Sequence, residues 1–199
     1  MKTTSFKKLA LNTPALLVLC GVLATAALPA FAFDAKVVPL QLNGSGVRQQ
    51  AGAALYTASL YLDKKLAIPA DILGNPGAKQ LRVVMLRDAS AAEMGDLLAR
   101  GMVANASDDE LHRLVPALFS LGEMFGEQKK LAAGDSFHID WQSGQDMTIR
   151  IYSGASPGQA ANMVQSFRQS ELPGVMLRLW LGAAPADQNL KNALLGQAS

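Results

Sequence analysis

The chain is poor in the residues that do most protein chemistry. Its 199 residues include one cysteine, Cys20, and two histidines, His112 and His138. Cys20 falls in an apolar stretch near the N-terminus that reads as a removable leader, so the mature chain has no thiol. Disulfides, thiolate catalysis and thiolate metal ligation are then excluded. Neither histidine has metal-ligand spacing, and both are expected to be exposed. No serine sits in a G-x-S-x-G elbow, so a hydrolase nucleophile of that type is absent. Gly44-Ser45-Gly46 has Gln49 where a dinucleotide loop needs its third glycine, and a strand follows it rather than a helix. The acids Asp88, Asp108, Asp109, Glu110, Asp140 and Asp146 fall at expected caps and turns, where local hydrogen bonding accounts for them.

The N-terminus carries a targeting pattern. Lys2, Lys7 and Lys8 form a positive region, Leu16 to Leu28 is apolar, and Ala30-Phe31-Ala32 is a small-residue cleavage signal. Residues 1–32 are read as a cleaved signal peptide and residues 33–199 as a single domain, periplasmic or secreted. The apolar run is interrupted by Thr25 and Pro29, too early for a spanning helix, so no membrane span is expected in the mature chain. Leu19 stands where a lipoprotein signal wants a small residue before its cysteine. Three of the 18 Lys and Arg lie in the leader, which leaves 15 against 16 Asp and Glu, a net charge of −1. A near-neutral domain offers no electrostatic footprint for nucleic acid or an anionic lipid surface.

Along the mature chain, Val37 to Leu42 reads as a strand closed by a tight turn at Asn43-Gly44-Ser45-Gly46. Val47 to Gln50 resumes an extended piece carrying Arg48. Ala53 to Leu62 is a longer strand, with Tyr56, Ala58, Leu60 and Leu62 on one face. A short helix is expected at Pro69 to Leu73. Leu81 to Leu86 is nearly continuous apolar, which predicts a strand covered on both faces. Ser90 and Glu93 open a helix with the stripe Met94, Leu97, Leu98, Gly101 and Met102. Ser107 and Glu110 open another, in which Pro116 predicts a kink or a shortened first half.

Phe137, Ile139 and Trp141, then Met147, Ile149 and Ile151, alternate with polar residues across a turn at residues 143–146, predicting a hairpin with one wet face. A strand near Met163 to Phe167, a helix from Pro173 to Gly182 and a short helix at Asp187 to Leu195 complete the chain. Grouped strands and helices predict an α+β fold, an antiparallel β-sheet with helices packed on one face.

Four blocks carry a family resemblance: Asn43-Gly44-Ser45-Gly46-Val47-Arg48, Ser59-Leu60-Tyr61-Leu62, Leu86-Arg87-Asp88 and Arg178 to Gly182. Over residues 36–196 the chain resembles the chalcone isomerase-like family, in its bacterial exported branch. That family includes true isomerases, fatty-acid binders and members without known activity. The resemblance implies a pocket arginine at Arg48. It maps the strand threonine of true isomerases onto Tyr56, and their helix tyrosine and asparagine onto Met94 and Gly101.

True members close a flavonoid ring by holding a phenolate on arginine and stabilising an enolate with hydroxyls and an ordered water. Met94 donates nothing and Gly101 has no side chain. Losing one such donor costs roughly 3 kcal/mol of transition-state stabilisation, so losing two argues against efficient cyclisation. The expected function is a non-catalytic binder of a fatty-acid-like or other small apolar carboxylate, with ligand-binding residues Arg48, Tyr56, Met94 and Gly101. No cofactor and no metal is implied. The alternatives are an isomerase or intramolecular lyase acting on another substrate, and a protein-interaction module. A cavity of several hundred Å3 at Arg48 would favour the first two, and a filled core the third.

Overall fold

The computed structural model describes residues 39–142, 146–154 and 159–197. The expected leader with Cys20, the first two residues of the expected opening strand, most of the turn at 143–146 and part of the 153–162 loop lie outside the described residues.

Six strands form one antiparallel sheet: β1 (Gln41–Gln50), β2 (Ala53–Leu62), β3 (Lys79–Met85), β6 (Ser136–Trp141), β7 (Met147–Tyr152) and β8 (Met163–Phe167). They lie side by side in that order. Two short strands, β4 (Ala89–Ser90) and β5 (Lys130–Leu131), pair separately. The register aligns the apolar sets across the sheet: Ala58 with Val83, Leu60 with Leu81, Val83 with Phe137, Leu81 with Ile139, and Ile139 with Ile149. All are buried. The opposite face carries Thr57, Ser59, Gln80, Arg82, His138, Asp140, Thr148 and Arg150, half-buried or exposed. One covered face and one wet face give the period-2 pattern its physical cause.

The helices are α1 (Pro69–Gly74), α2 (Ala91–Val103), α3 (Asp108–Glu127), α4 (Leu172–Leu181) and α5 (Gln188–Leu194). The Ser107 hydroxyl accepts from the Glu110 N–H, and the Glu110 carboxylate accepts in return from the Ser107 N–H at 2.9 Å, a complete capping box. At α2 only the serine half forms: Ser90 caps Glu93, whose carboxylate turns to Arg87 at 2.6 Å. Seven of the ten residues of α4 are buried, the mark of a helix enclosed on most sides. The Arg178 guanidinium leaves that apolar helix to donate to Glu110 and to the Asn105 carbonyl.

Three expectations are corrected. β3 is not covered on both faces: Leu81, Val83 and Met85 are buried while Arg82 is exposed, because helices cover one side of the sheet only. Pro116 neither breaks nor shortens α3, which runs through it for 20 residues. Packing of Leu114, Ala117, Leu121, Met124 and Phe125 outweighs the missing N–H.

The third correction concerns Asn43 to Gly46, which is no turn. These residues lie within β1, and the chain reverses at Ala51-Gly52, with φ of 50° and 79°. Positive φ at both central residues suits the twist of a two-residue hairpin. The two glycines instead make room for α5. A Cβ on Gly44 would stand 2.0 Å from the Ala193 carbonyl oxygen, and one on Gly46 would stand 2.7 Å from the Ala193 Cβ. Asn43 secures the same contact. Its amide donates to the carbonyls of Leu66 (2.9 Å) and Leu194 (2.8 Å), and its oxygen accepts from the Leu66 N–H (2.8 Å).

Candidate functional site

Arg48 pairs across the ladder with Tyr56, so both lie on the helix-covered face of the sheet. Gly44, Gly46 and Arg48 share this side by the two-residue period of the strand, in a stretch of continuous register bounded by shifts between Leu42 and Gly44 and between Arg48 and Gln49. Met94 comes down from α2 to the same place. Arg48, Tyr56 and Met94 share one small cavity with Leu97, Leu98, Phe137, Leu179, Trp180 and Ala186. Its volume is about 10 Å3, at most the room for one water. The cavity of several hundred Å3 that would favour a ready-made pocket is not present at Arg48.

Gly101 is not part of these walls. It lies where α2 meets α4, and a Cβ there would stand 2.5 Å from Leu179 Cγ. Close helix packing is the reason for glycine here, and Gly101 stands behind Leu179, which does line the cavity.

The Tyr56 ring is buried, and its hydroxyl accepts from Trp180 Nε1 at 3.1 Å. Burial pushes the phenol above its ordinary value. The Trp180 hydrogen bond and the Arg48 charge offset this in part, and Asp187 adds to it. The phenol is therefore neutral near neutral pH, held in place by an indole. Sequence reasoning took Trp180 as core, and it is, but it also fixes Tyr56. A buried indole that needs an acceptor was the available signal. Leu179 and Ala186, contributed by α4 and the turn before α5, had no such signal.

Arg48 is half-buried and makes no hydrogen bond or ion pair among the described residues. The carboxylate of Asp187 is otherwise engaged, accepting from the N–H groups of Gln49 (3.2 Å) and Leu190 (3.0 Å). A guanidinium against apolar side chains, without an acid of its own, can take a carboxylate in two parallel hydrogen bonds. Met94 offers no hydrogen-bond donor here, whereas the Tyr56 hydroxyl accepts from Trp180 and keeps its own O–H to donate.

Asp88 accepts from Lys130 (2.8 Å) and from the Ala133 N–H (2.9 Å), which lowers its pKa. Asp140 pairs with Arg150 and with Gln80. His112 is exposed. His138, expected to be exposed, is half-buried against Tyr152 at a ring separation of 4.6 Å, and burial lowers its pKa. Among the described residues no three His, Cys, Asp or Glu cluster to hold a metal ion, and no helix is long and apolar enough to cross a membrane.

Comparison with known proteins agrees with this architecture. A fatty-acid binding protein of Arabidopsis thaliana has a similar fold, with a TM-score of 0.55 and 15% identity over 78% of this chain and 86% of its own. No curated protein matches the sequence. Residues 24–196 match a family model described as chalcone isomerase-like, and the chain belongs to the chalcone isomerase-like family.

Proposed function

We propose that this protein is an exported, non-catalytic binder of a fatty-acid-like or other small apolar carboxylate, with Arg48 as the anion clamp. The observation that carries the reading is the half-buried Arg48 guanidinium, set against apolar side chains and without an ion pair among the described residues. The likeness to a fatty-acid binding protein supports the scaffold. In this reading residues 1–32 direct export and are removed, and residues 33–199 form the binding domain.

The ligand must open its own site, since about 10 Å3 admits no alkyl chain. Met94, Leu97 and Leu98 form the α2 side of the cavity, and methionine and leucine rotamers can move at modest cost. Binding energy is then partly consumed in opening the cavity, and the apparent affinity is reduced accordingly. Native mass spectrometry of the protein from its own compartment tests this. A copurifying carboxylate that is lost in a folded Arg48→Ala variant supports the reading, and unchanged retention in that variant overturns it.

A second reading, a protein-interaction module, is favoured by the filled core at Arg48 and by apolar side chains outside it. Phe119 is 71% exposed and Val115 43% on α3, and Val103 is 59% exposed at the end of α2.

A further inference from the structure

Lys79 is the one charged side chain that is buried among the described residues, with 8% of its surface exposed. It opens β3 and pairs across the ladder with Trp141, the last residue of β6, while Met147 pairs with Phe167. All four are buried, so they lie on the covered face, where their strands begin or end. There they help to line a cavity of about 560 Å3, walled also by the turn at residues 74–77 and by Gln169 and Pro173 at the start of α4. This volume falls within the roughly 300–1,000 Å3 of small-molecule sites.

The polar groups of this cavity are incompletely matched. Lys79 Nζ donates to the carbonyls of Asn75 and Gly77 and makes no ion pair among the described residues. An ammonium has three donors, so one is left over. Burial lowers the Lys79 pKa, and the charge of Asp63, whose carboxylate accepts from Asn75 Nδ2 at 2.8 Å, offsets this in part. Three buried side-chain polar atoms among the described residues have no hydrogen-bond partner: Gln50 Oε1, Trp141 Nε1 and Gln169 Oε1. Trp141 and Gln169 both line this cavity. Buried polar groups left unpaired are costly, and buried charges are as a rule paired. An open groove between α2 and α3 is the contrast. It encloses about 460 Å3 beside Leu98, Gly122 and Phe125, and none of its lining residues carries a buried polar atom without a partner.

We infer that the Lys79 cavity binds a small hydroxy- or amino-carboxylate with an apolar body. Lys79 and Trp141 supply N–H donors for the carboxylate from directly opposed positions on neighbouring strands. The Gln169 amide oxygen accepts from the hydroxyl or amino group beside it. Leu73, Met147 and Phe167 line the space for the apolar body. Charge limits the ligand to a monoanion. Arg168 and Asp146, which line the same cavity, lie 3.4 Å apart and offset each other, so Lys79 is left as the net charge. A phosphate-like dianion would exceed it. The two carbonyls on Lys79 fix its ammonium in place, and the space beside it is already open, unlike the filled space at Arg48.

The chain has two tryptophans, Trp141 at this cavity and Trp180 at Arg48, so their indole N–H signals report the two places separately. The test follows both signals by NMR while the isotope-labelled protein is titrated with phenyllactate or with its uncharged amide. The acid is expected to move the Trp141 signal saturably and to leave the Trp180 signal in place. The amide is expected to bind at least tenfold more weakly, and so is phenylpropionate, which lacks the hydroxyl. A Lys79→Gln protein, checked by circular dichroism, is expected to bind the acid at least tenfold more weakly. If that variant does not fold, because Lys79 tethers the turn at residues 74–77, the three ligands on the parent protein still decide. A Trp141 signal that does not shift saturably overturns the inference. Equal binding of acid and amide does so too, as does equal binding by a folded Lys79→Gln protein. Movement of the Trp180 signal alone also overturns it, since the acid then sits at Arg48.

Discussion

Gly44 and Gly122 occupy opposite situations in one molecule. At Gly44 the fold has no room: α5 lies on β1 so closely that a methyl group would strike a backbone carbonyl. At Gly122 the fold leaves open space. The first glycine is explained by a contact within the chain, and no contact among the described residues explains the second. The difference separates glycines that hold the domain together from those that shape its surface. It also separates two hollows in the molecule. The Arg48 site is closed by Tyr56, Trp180 and Leu179, whereas the α2–α3 groove is open and apolar.

The comparison is tested most severely by Gly44→Ala. The clash is with backbone, so α5 must move off β1 and the Asn43 hydrogen bonds go with it. A loss of about 3 kcal/mol is expected, the upper part of the range for overpacking. It is read from the denaturant midpoint, and an unshifted midpoint would mean that α5 does not rest on this strand. Tyr56→Phe sharpens the contrast from the closed side. It leaves Trp180 Nε1 buried without an acceptor, for a loss of about 1–3 kcal/mol. Thermal melts of the variant and the parent check this, and equal melting temperatures would show that the hydroxyl is dispensable there. Gly122→Ala should have the smallest effect and the opposite sign, a gain of about 1 kcal/mol. Destabilisation instead would mean that the space beside Gly122 is not free.

Much of the fold was legible because its signals are local. The alternation from Phe137 to Ile151 marks strands with one covered face, and Ser107 with Glu110 marks a helix start. The errors came where a local signal had a distant cause. Asn43-Gly44-Ser45-Gly46 has turn composition, but its glycines answer to Ala193, about 150 positions along the chain. That Arg48 and Tyr56 share a pocket is what the family resemblance implies, whereas the register that makes them cross-strand partners, set between two shifts in β1, is not readable from spacing. Gly101 was assigned to the site by alignment and found under Leu179.

By itself the sequence determined the order of strands and helices, the absence of thiol chemistry from residues 33–199 and the family. These depend on residue type and short-range period, which do not need the third dimension. Only the tertiary structure decided that the space at Arg48 is filled, that Tyr56 is committed to Trp180, and that the open apolar groove lies between α2 and α3. Cavities are what remains after side chains from distant segments have packed, and their volumes depend on how those side chains meet.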